Sequence, residues 1–188
     1  KVMRQTTGAA LVDGLLAHGV DTIFGLPGAQ TYALYDALHA VQDRIRHITV
    51  RHEQAAAYMA FGYARSTGRV GVYTVVPGPG VLNTMAALCT AVGCNVPVIC
   101  LTAQIPSDFL GKGRGHLHEL PDQLATLRSL LKWAERIEAP EEAPGLLAEA
   151  FHQAQSGRPG PVALEVPWDV FGREGDVTPV PQADVEPL

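Results

Sequence analysis

The chain has 188 residues, of which 47% are hydrophobic and 18% charged, and its formal net charge is −5 at pH 7. This size and balance suit one globular domain. The mild acidity, with no basic run longer than two residues, argues against a nucleic acid or an anionic membrane surface as a partner. No apolar stretch approaches the roughly 20 residues that a membrane-spanning helix needs.

Helix and strand patterns alternate along the whole chain. Apolar, β-branched runs predict strands at residues 22–25, 45–50, 70–76, 96–102, 132–137 and 162–166. Helical periodicity predicts helices at residues 6–18, 31–40, from 53 onward, from 80 through 91, at 121–131 and at 141–155. Six strands alternating with six helices predict an α/β fold with three α/β/α layers around a six-stranded parallel sheet.

Two of these helices carry further expectations. Thr6 or Thr7 is a suitable N-cap for the first helix. The helix that begins at Glu53 is rich in small and apolar residues, so we expect it to be buried on most of its circumference, with Ala55, Ala56, Tyr58 and Met59 shielding the Glu53 carboxylate.

The composition changes near the C-terminus. Residues 174–188 are acidic, contain three prolines and have no basic residue. Such a segment is typical of a linker. We therefore assign residues 1–173 to one domain and residues 174–188 to the start of an interdomain linker, and we expect the domain to be part of a longer protein.

Three cysteines, Cys89, Cys94 and Cys100, lie in apolar surroundings. Their spacing fits no zinc site, and their odd number does not suggest a disulfide framework. We expect them to be reduced and buried, which favours a cytoplasmic location.

Three loops of unusual composition follow the first three predicted strands. They are Gly25-Leu-Pro-Gly28, Arg51-His-Glu53, and Pro77-Gly-Pro-Gly80 with Asn83 shortly after it. In an open α/β sheet such loops meet at one edge, where ligands bind. Glu53 also opens a helix, whose dipole favours an anion by about 0.3–1 kcal/mol.

Simple Pro-Gly turns are one alternative interpretation of these loops. A dinucleotide fingerprint is another, because Gly78-x-Gly80 follows a strand and opens a helix. However, Asn83 occupies the third glycine position, and no acidic residue stands roughly 20 positions further on. A Walker-type Gly-Lys-Ser/Thr sequence is absent.

Taken together, the motifs resemble the N-terminal, pyrimidine-binding domain of thiamine-diphosphate-dependent enzymes of the acetolactate synthase and 2-oxo-acid decarboxylase group. The resemblance runs in family order over nearly the whole chain. The matching segments are Val20-Asp-Thr-Ile-Phe-Gly-Leu-Pro-Gly28, His52-Glu-Gln-Ala-Ala-Ala57, Gly62-Tyr-Ala-Arg65, Gly78-Pro-Gly-Val-Leu-Asn83, Gln104-Ile-Pro106, Ser156-Gly-Arg-Pro-Gly-Pro-Val162 and Glu165-Val-Pro167.

The resemblance implies a role for each of the rim residues. The glutamate that matches Glu53 hydrogen-bonds a ring nitrogen of the cofactor's aminopyrimidine and helps to activate the thiazolium ring for attack on a 2-oxo acid. His52, which precedes it, is expected to be structural. The residues implied to line the pocket are Gly78, Pro79, Gly80 and Asn83, with Pro27 and Gly28 at its rim, while Gln104 either packs against the pocket or ends its strand.

The resemblance also implies partners. Family members form each site between two chains of a homodimer or tetramer, and a separate domain holds the diphosphate through Mg²⁺. That domain's Gly-Asp-Gly followed by Asn does not occur in this chain. The metal contacts are therefore expected in another part of the protein, and this chain alone is not expected to be active. Use of FAD is possible within the family and stays open.

The loop Lys112-Gly-Arg-Gly-His-Leu-His-Glu-Leu-Pro121 bears on the reaction. Acetolactate synthases resemble it with Phe-Gln-Glu, and pyruvate-type decarboxylases with Leu-His-His, at residues 117–119. His118 or His116 is thus a candidate acid/base group, the alternative being two exposed loop histidines. Ala29 and Val76 replace residues typical of decarboxylases, and Pro77 replaces the serine usual in synthases.

The predicted function is therefore a cofactor-binding domain of an acetolactate synthase-like enzyme, which decarboxylates a 2-oxo acid and transfers the acyl-anion equivalent to an acceptor. Two alternatives stay open. One is a non-oxidative 2-oxo-acid decarboxylase of the same family, and the other is a nucleotide-binding module without catalysis, against which Glu53 argues.

Overall fold

The fold is known from a computed structural model that describes residues 1–186 and 188. Its strands are β1 (Met3–Thr6), β2 (Thr22–Gly25), β3 (Arg46–Thr49), β4 (Gly71–Val75), β5 (Val98–Gln104), β6 (Trp133–Arg136), β7 (Val162–Pro167) and β8 (Glu174–Val177). Its α-helices are α1 (Thr7–Ala17), α2 (Tyr32–Ala40), α3 (Glu53–Thr67), α4 (Pro79–Leu82), α5 (Met85–Cys94), α6 (Gln123–Leu130), α7 (Ala143–Gln155) and α8 (Trp168–Phe171). Short 3₁₀ turns lie at Ser107–Phe109 and Pro140–Glu142.

The main sheet has six parallel strands in the order β3-β2-β4-β5-β7-β6. Strands β4, β5 and β7 are buried along their whole length, as expected for strands covered on both faces. Helices α1, α2 and α7 pack on one face, and helices α3, α5 and α6 pack on the other. The predicted three-layer α/β/α fold with a six-stranded parallel sheet is confirmed.

Local capping explains where two of the helices begin. The hydroxyl of Thr6 accepts a hydrogen bond from the backbone N–H of Ala9 at 3.1 Å, which is the predicted cap of α1. The Nδ1 atom of His52 accepts one from the N–H of Gln54 at 3.1 Å and caps α3. His52 therefore has a structural contact at the point where Glu53 enters its helix.

The helix predicted as continuous through Ala91 is divided into α4 and α5. The Thr84 hydroxyl donates a hydrogen bond to the carbonyl of Val81 at 2.8 Å and accepts one from the Tyr73 hydroxyl at 2.8 Å. A hydroxyl that bonds a preceding carbonyl competes with the helical ladder. Asn83 consequently lies between two helices rather than inside one.

The sequence-based reading missed a second, two-stranded sheet. Strand β1 pairs antiparallel with β8, from Met3 opposite Val177 to Thr6 opposite Glu174, and Arg4 lies 3.3 Å from the Glu174 carboxylate. The first four residues of the segment predicted as linker thus pair with the start of the domain. That residues beyond Val177 form a linker stays a prediction.

Two burial predictions were wrong. Cys89 and Cys94 are exposed on α5, and only Cys100 is buried. Helix α3 buries Ala56, Ala57, Ala60 and Ala64 but leaves Tyr58 and Met59 exposed, so less than half of its circumference faces the core. The outer face of α3, which carries Tyr58 and Met59, is therefore uncovered in a single chain. Within the described residues no helix is long and apolar enough to cross a membrane.

Candidate functional site

The site lies where β2, β3 and β4, which are neighbours in the sheet, reach their carboxyl ends. Glu53 is the first residue of α3, directly after the loop that leaves β3, and its side chain is partly buried. The side-chain amide of Asn83 donates a hydrogen bond to Glu53 Oε2 at 2.9 Å. This bond orients the carboxylate, while the other oxygen, Oε1, has no hydrogen-bond donor among the described residues.

Glycines bring backbone close to this carboxylate. A Cβ atom on Gly80 would lie 2.6 Å from Val76 Cγ2 and 3.8 Å from Glu53 Cγ, and one on Gly28 would lie 2.5 Å from Val76 Cγ1. Gly78 has a φ of +64° and would place a Cβ 2.3 Å from the carbonyl oxygen of His118. Only glycine fits these three positions, because Val76 and the backbone of His118 already fill the adjacent space.

The loop before α6 brings His118 to the same place. Its Nδ1 atom lies 2.6 Å from Oε1 of Gln30, a buried residue in the loop after β2. Partial burial lowers the pKa of the His118 imidazole below its ordinary value, and the nearby Glu53 carboxylate partly opposes this shift. His118 is therefore uncharged at neutral pH and able to accept a proton.

His116 has different surroundings. Its backbone N–H donates to Glu119 Oε2 at 2.7 Å, and its ring lies against Phe109 with 4.8 Å between ring centroids. These contacts shape the loop itself. Of the two histidines considered from the sequence, only His118 has contacts to residues of the rim.

A buried polar network supports the rim from the other half of the sheet. Gln123, at the start of α6, accepts a hydrogen bond from the Gly78 N–H at 2.7 Å and donates to the carbonyl of Ala103 at 3.0 Å. It also donates to the Glu165 carboxylate at 2.8 Å. Glu165 is fully buried and pairs with Arg136 Nε at 2.7 Å. The turn that begins at Gly78 is thus tied to a buried ion pair.

Gln104 belongs to this network. It ends β5, is buried, and donates to Glu165 at 3.2 Å while accepting from the N–H of Ile105 at 2.8 Å. Both of its polar atoms therefore have partners away from Glu53. A contact of Gln104 with a bound cofactor stays a prediction.

The structure brings together most of the residues singled out from the sequence. Glu53, Asn83, Gly78, Gly80 and His118 are linked by the contacts above. Gly28 joins them through Val76. Pro27 and Pro79 are exposed in the loops at the same edge. His116 contacts residues near its own loop, Glu119 and Phe109 among them.

Two residues that hold the loops of the site by hydrogen bonds, Gln30 and Gln123, were missed. Both are almost completely buried and have at least two side-chain hydrogen bonds each. Glutamine has no distinctive motif, and the partners of these two residues lie 20 to 88 positions away, so local patterns could not find them.

The predicted shield of Glu53 is incomplete in a single chain. Ala55 is exposed, and Tyr58 and Met59 are 38% and 45% exposed, so the outer face of α3 beside the carboxylate is open and apolar. Leu82 of α4 is also exposed, at 45%.

Comparisons with known proteins agree with this arrangement. The family model described as thiamine pyrophosphate enzyme, N-terminal TPP binding domain, matches residues 5–126. Acetolactate synthase of Arthrospira platensis is 41% identical over 188 residues, covering 98% of this chain and 32% of the relative. The probable 2-ketoarginine decarboxylase AruI of Pseudomonas aeruginosa is 43% identical over 166 residues, covering 88% and 29%.

Acetolactate synthase isozyme 2 large subunit of Escherichia coli is 38% identical over 169 residues, covering 90% of this chain and 30% of the relative. The chain therefore spans about a third of the length of these curated relatives.

Proposed function

The chain belongs to the thiamine pyrophosphate enzyme family, matching its N-terminal cofactor-binding domain, and we propose that it serves an acetolactate synthase-like enzyme. That enzyme decarboxylates a 2-oxo acid and transfers the resulting acyl-anion equivalent to an acceptor. The observation that carries the proposal is the Glu53 carboxylate, held by Asn83 at the start of α3 beside the close-packed Gly80.

The residues at the rim fit an aminopyrimidine ring. Glu53 offers a carboxylate oxygen, Oε1, without a donor among the described residues, and the ring has a basic nitrogen that can share a proton with it. Gly80 packs against Val76 close to Glu53, so its backbone would form one wall of the ring's site. Glu53, Gly78, Pro79, Gly80 and Asn83 would hold the ring.

At the outer edge of the same pocket, Pro27 and Gly28 would form the rim.

When bound, thiamine diphosphate supplies a carbon nucleophile that attacks the 2-oxo acid and holds the electron pair left when carbon dioxide departs.

The protein's own contribution is to hold and move protons. Asn83 orients the Glu53 carboxylate, and the N-terminus of α3 adds a field favourable to an anion, worth about 0.3–1 kcal/mol. With the cofactor bound, Glu53 would hold or share a proton at the nearby ring nitrogen. His118, uncharged at neutral pH because of its burial, is placed to accept or deliver a proton at the substrate oxygen.

A non-oxidative decarboxylase of the same family is the second candidate function. The matched relatives include both an acetolactate synthase and a probable 2-ketoarginine decarboxylase. A histidine at position 118 favours the decarboxylase, whereas Ala29 and Val76 lack the side chains that decarboxylases place there. Synthase chemistry remains our first choice because most of the relatives named for a reaction are acetolactate synthases.

Product analysis with the full-length protein distinguishes these functions. A panel of 2-oxo acids would be incubated with thiamine diphosphate and Mg²⁺, and the products separated. A condensed hydroxy-oxo acid supports the synthase, and a free aldehyde supports the decarboxylase. No carbon dioxide from any acid, with the cofactor bound, would refute both and favour a domain that binds without catalysis.

The proposal extends to a second copy of the chain and to a metal ion. Tyr58 and Met59, on the helix that Glu53 opens, are exposed apolar side chains that a partner subunit would cover. We expect a homodimer or tetramer, with Mg²⁺ and the diphosphate held by another domain. A fully active monomer in sedimentation would refute this part. FAD use and a cytoplasmic location stay predictions.

A further inference from the structure

Gln30 makes two hydrogen bonds to the loop that carries the candidate acid/base residue. It is completely buried. Its side-chain Nε2 donates to the carbonyl oxygen of Leu117 at 2.9 Å, and its Oε1 lies 2.6 Å from His118 Nδ1. One amide group thus forms hydrogen bonds with two successive residues of a loop that lies 87 and 88 positions further along the sequence.

The backbone of both partners is strained. Among the described residues, three that are not glycine have a positive φ: Gln30 at 74°, His118 at 69° and Asn95 at 53°. Asn95 is the C-cap of α5, where a left-handed residue is usual. The other two are the two sides of a single contact. Left-handed backbone costs a non-glycine residue about 1–3 kcal/mol, and such strain concentrates at functional sites.

This contact decides which ring nitrogen of His118 carries the proton. The opposite orientation of the Gln30 amide would place its oxygen against the Leu117 carbonyl, and two acceptors cannot bond each other. The amide oxygen must therefore face His118 Nδ1, and an oxygen that only accepts requires a proton on that nitrogen. In the neutral ring Nε2 is then unprotonated, and it has no hydrogen-bond partner among the described residues.

We propose that Gln30 is a positioning residue, which holds His118 as the Nδ1–H tautomer and so leaves Nε2 as the basic atom presented to the substrate. The part of this proposal that concerns the substrate rests on the proposed function, whereas the hydrogen bond with Gln30 that fixes the tautomer of His118 does not. The charged side chain that acts on the ring from another element is Glu53 of α3. Glu119, on the same loop, is engaged by the backbone N–H of His116.

The test replaces the neutral amide with a carboxylate at the same place. In Gln30→Glu a negative charge adjoins Nδ1–H, which should raise the pKa of His118 by about one unit or more. Modification by diethyl pyrocarbonate, which attacks neutral imidazole, reports that pKa in the full-length protein. Trypsin releases both loop histidines in one peptide, residues 115–128, so fragment masses give each rate separately.

The expected result is a higher pH midpoint for His118 modification in Gln30→Glu, with His116 much less affected. Gln42→Glu is the matched control, because Gln42 is an exposed glutamine in the turn after α2, and it should leave both midpoints unchanged. Nitrogen NMR of ¹⁵N-histidine-labelled wild-type protein decides the tautomer whether or not the variant folds. A proton on Nδ1 of neutral His118 is the expected result, and a proton on Nε2 would overturn the proposal.

The pH profile of kcat/KM separates this inference from the function beneath it. If His118 acts on the substrate through Nε2, the acidic limb of the profile should move upward in Gln30→Glu by the same amount as the modification midpoint. A shifted pH midpoint of His118 modification, with no shift in the acidic limb of the kcat/KM profile, would support the hydrogen bond between Gln30 and His118 and would refute the catalytic role of His118.

Discussion

Replacing Gln123 by alanine should loosen the turn at Gly78 and destabilise the whole domain. The side chain accepts from the Gly78 N–H, donates to the Ala103 carbonyl and donates to the Glu165 carboxylate, and all four residues are buried. A bond to a charged group contributes about 1.5–3 kcal/mol, and each buried neutral group left without a partner costs about 1–3 kcal/mol. We therefore expect a loss of about 4 kcal/mol in the free energy of unfolding, a large part of the 5–15 kcal/mol typical of a domain.

Urea unfolding followed by circular dichroism measures this loss. Gln123→Met retains most of the side-chain volume, so a similar loss in that variant assigns the effect to the hydrogen bonds rather than to a cavity. Gln42→Ala, at an exposed glutamine, should change the free energy by less than about 0.5 kcal/mol. A loss below about 1 kcal/mol in Gln123→Ala would refute the view that this network holds the Gly78 turn. In the full-length protein, the same variant should also raise the thiamine diphosphate concentration needed for half-maximal activity.

Three further predictions concern backbone, charge and pH. Gly78→Ala should cost about 2 kcal/mol or more, because its φ is +64° and the new Cβ would meet a backbone carbonyl oxygen at 2.3 Å; Gly145→Ala, with open space around it, should be tolerated. Arg136→Met should cost about 3–5 kcal/mol in the urea assay, because it leaves the buried Glu165 carboxylate without its cation. Burial lowers the pKa of His47, so below about pH 6.5 the unfolded chain binds a proton more readily than the folded one, and the domain loses stability as the pH decreases. Thermal unfolding at pH 7.5 and 5.5 should therefore show a smaller loss of stability in His47→Gln than in the wild type.

Each of these has an outcome that would contradict it. Equal stability of the two glycine variants would show that the Gly78 conformation is not required. A change below about 1 kcal/mol in Arg136→Met would mean that Glu165 is satisfied by its glutamine neighbours alone. An identical loss between the two pH values in wild type and His47→Gln would exclude that histidine as a source of pH dependence.

The central sheet was predictable because its strands are unambiguous in the sequence. Runs such as residues 70–76 and 96–102 are apolar and β-branched, as doubly covered parallel strands require, and Pro77 ends the first of them. The rim of the site followed from the same alternation, since neighbouring parallel strands end at one edge. Glu53 and Asn83 could be placed there before their 2.9 Å contact was known.

What the sequence did not reveal depends on distant partners or on a single exposed face. Strands β1 and β8, Met-Arg-Gln-Thr and Glu-Gly-Asp-Val, lack an apolar alternation, and they pair across almost the whole chain. The grip of Gln30 on His118 joins loops 88 positions apart. Cys89 looked buried because its neighbours are apolar, yet it lies on the outer face of α5.

The most direct test of the account is the exchange of the C2 proton of thiamine diphosphate bound to the full-length protein. Wild type and Glu53→Gln would be mixed with deuterium oxide in the presence of the cofactor and Mg²⁺, quenched with acid, and read by proton NMR. This readout needs no knowledge of the substrate.

Because we propose that the Glu53 carboxylate shares a proton with the pyrimidine ring, we predict rapid exchange in the wild type. In Glu53→Gln exchange should fall towards that of the free cofactor, while the cofactor stays bound. Equally fast exchange in the two proteins would contradict the central claim that Glu53 activates the cofactor.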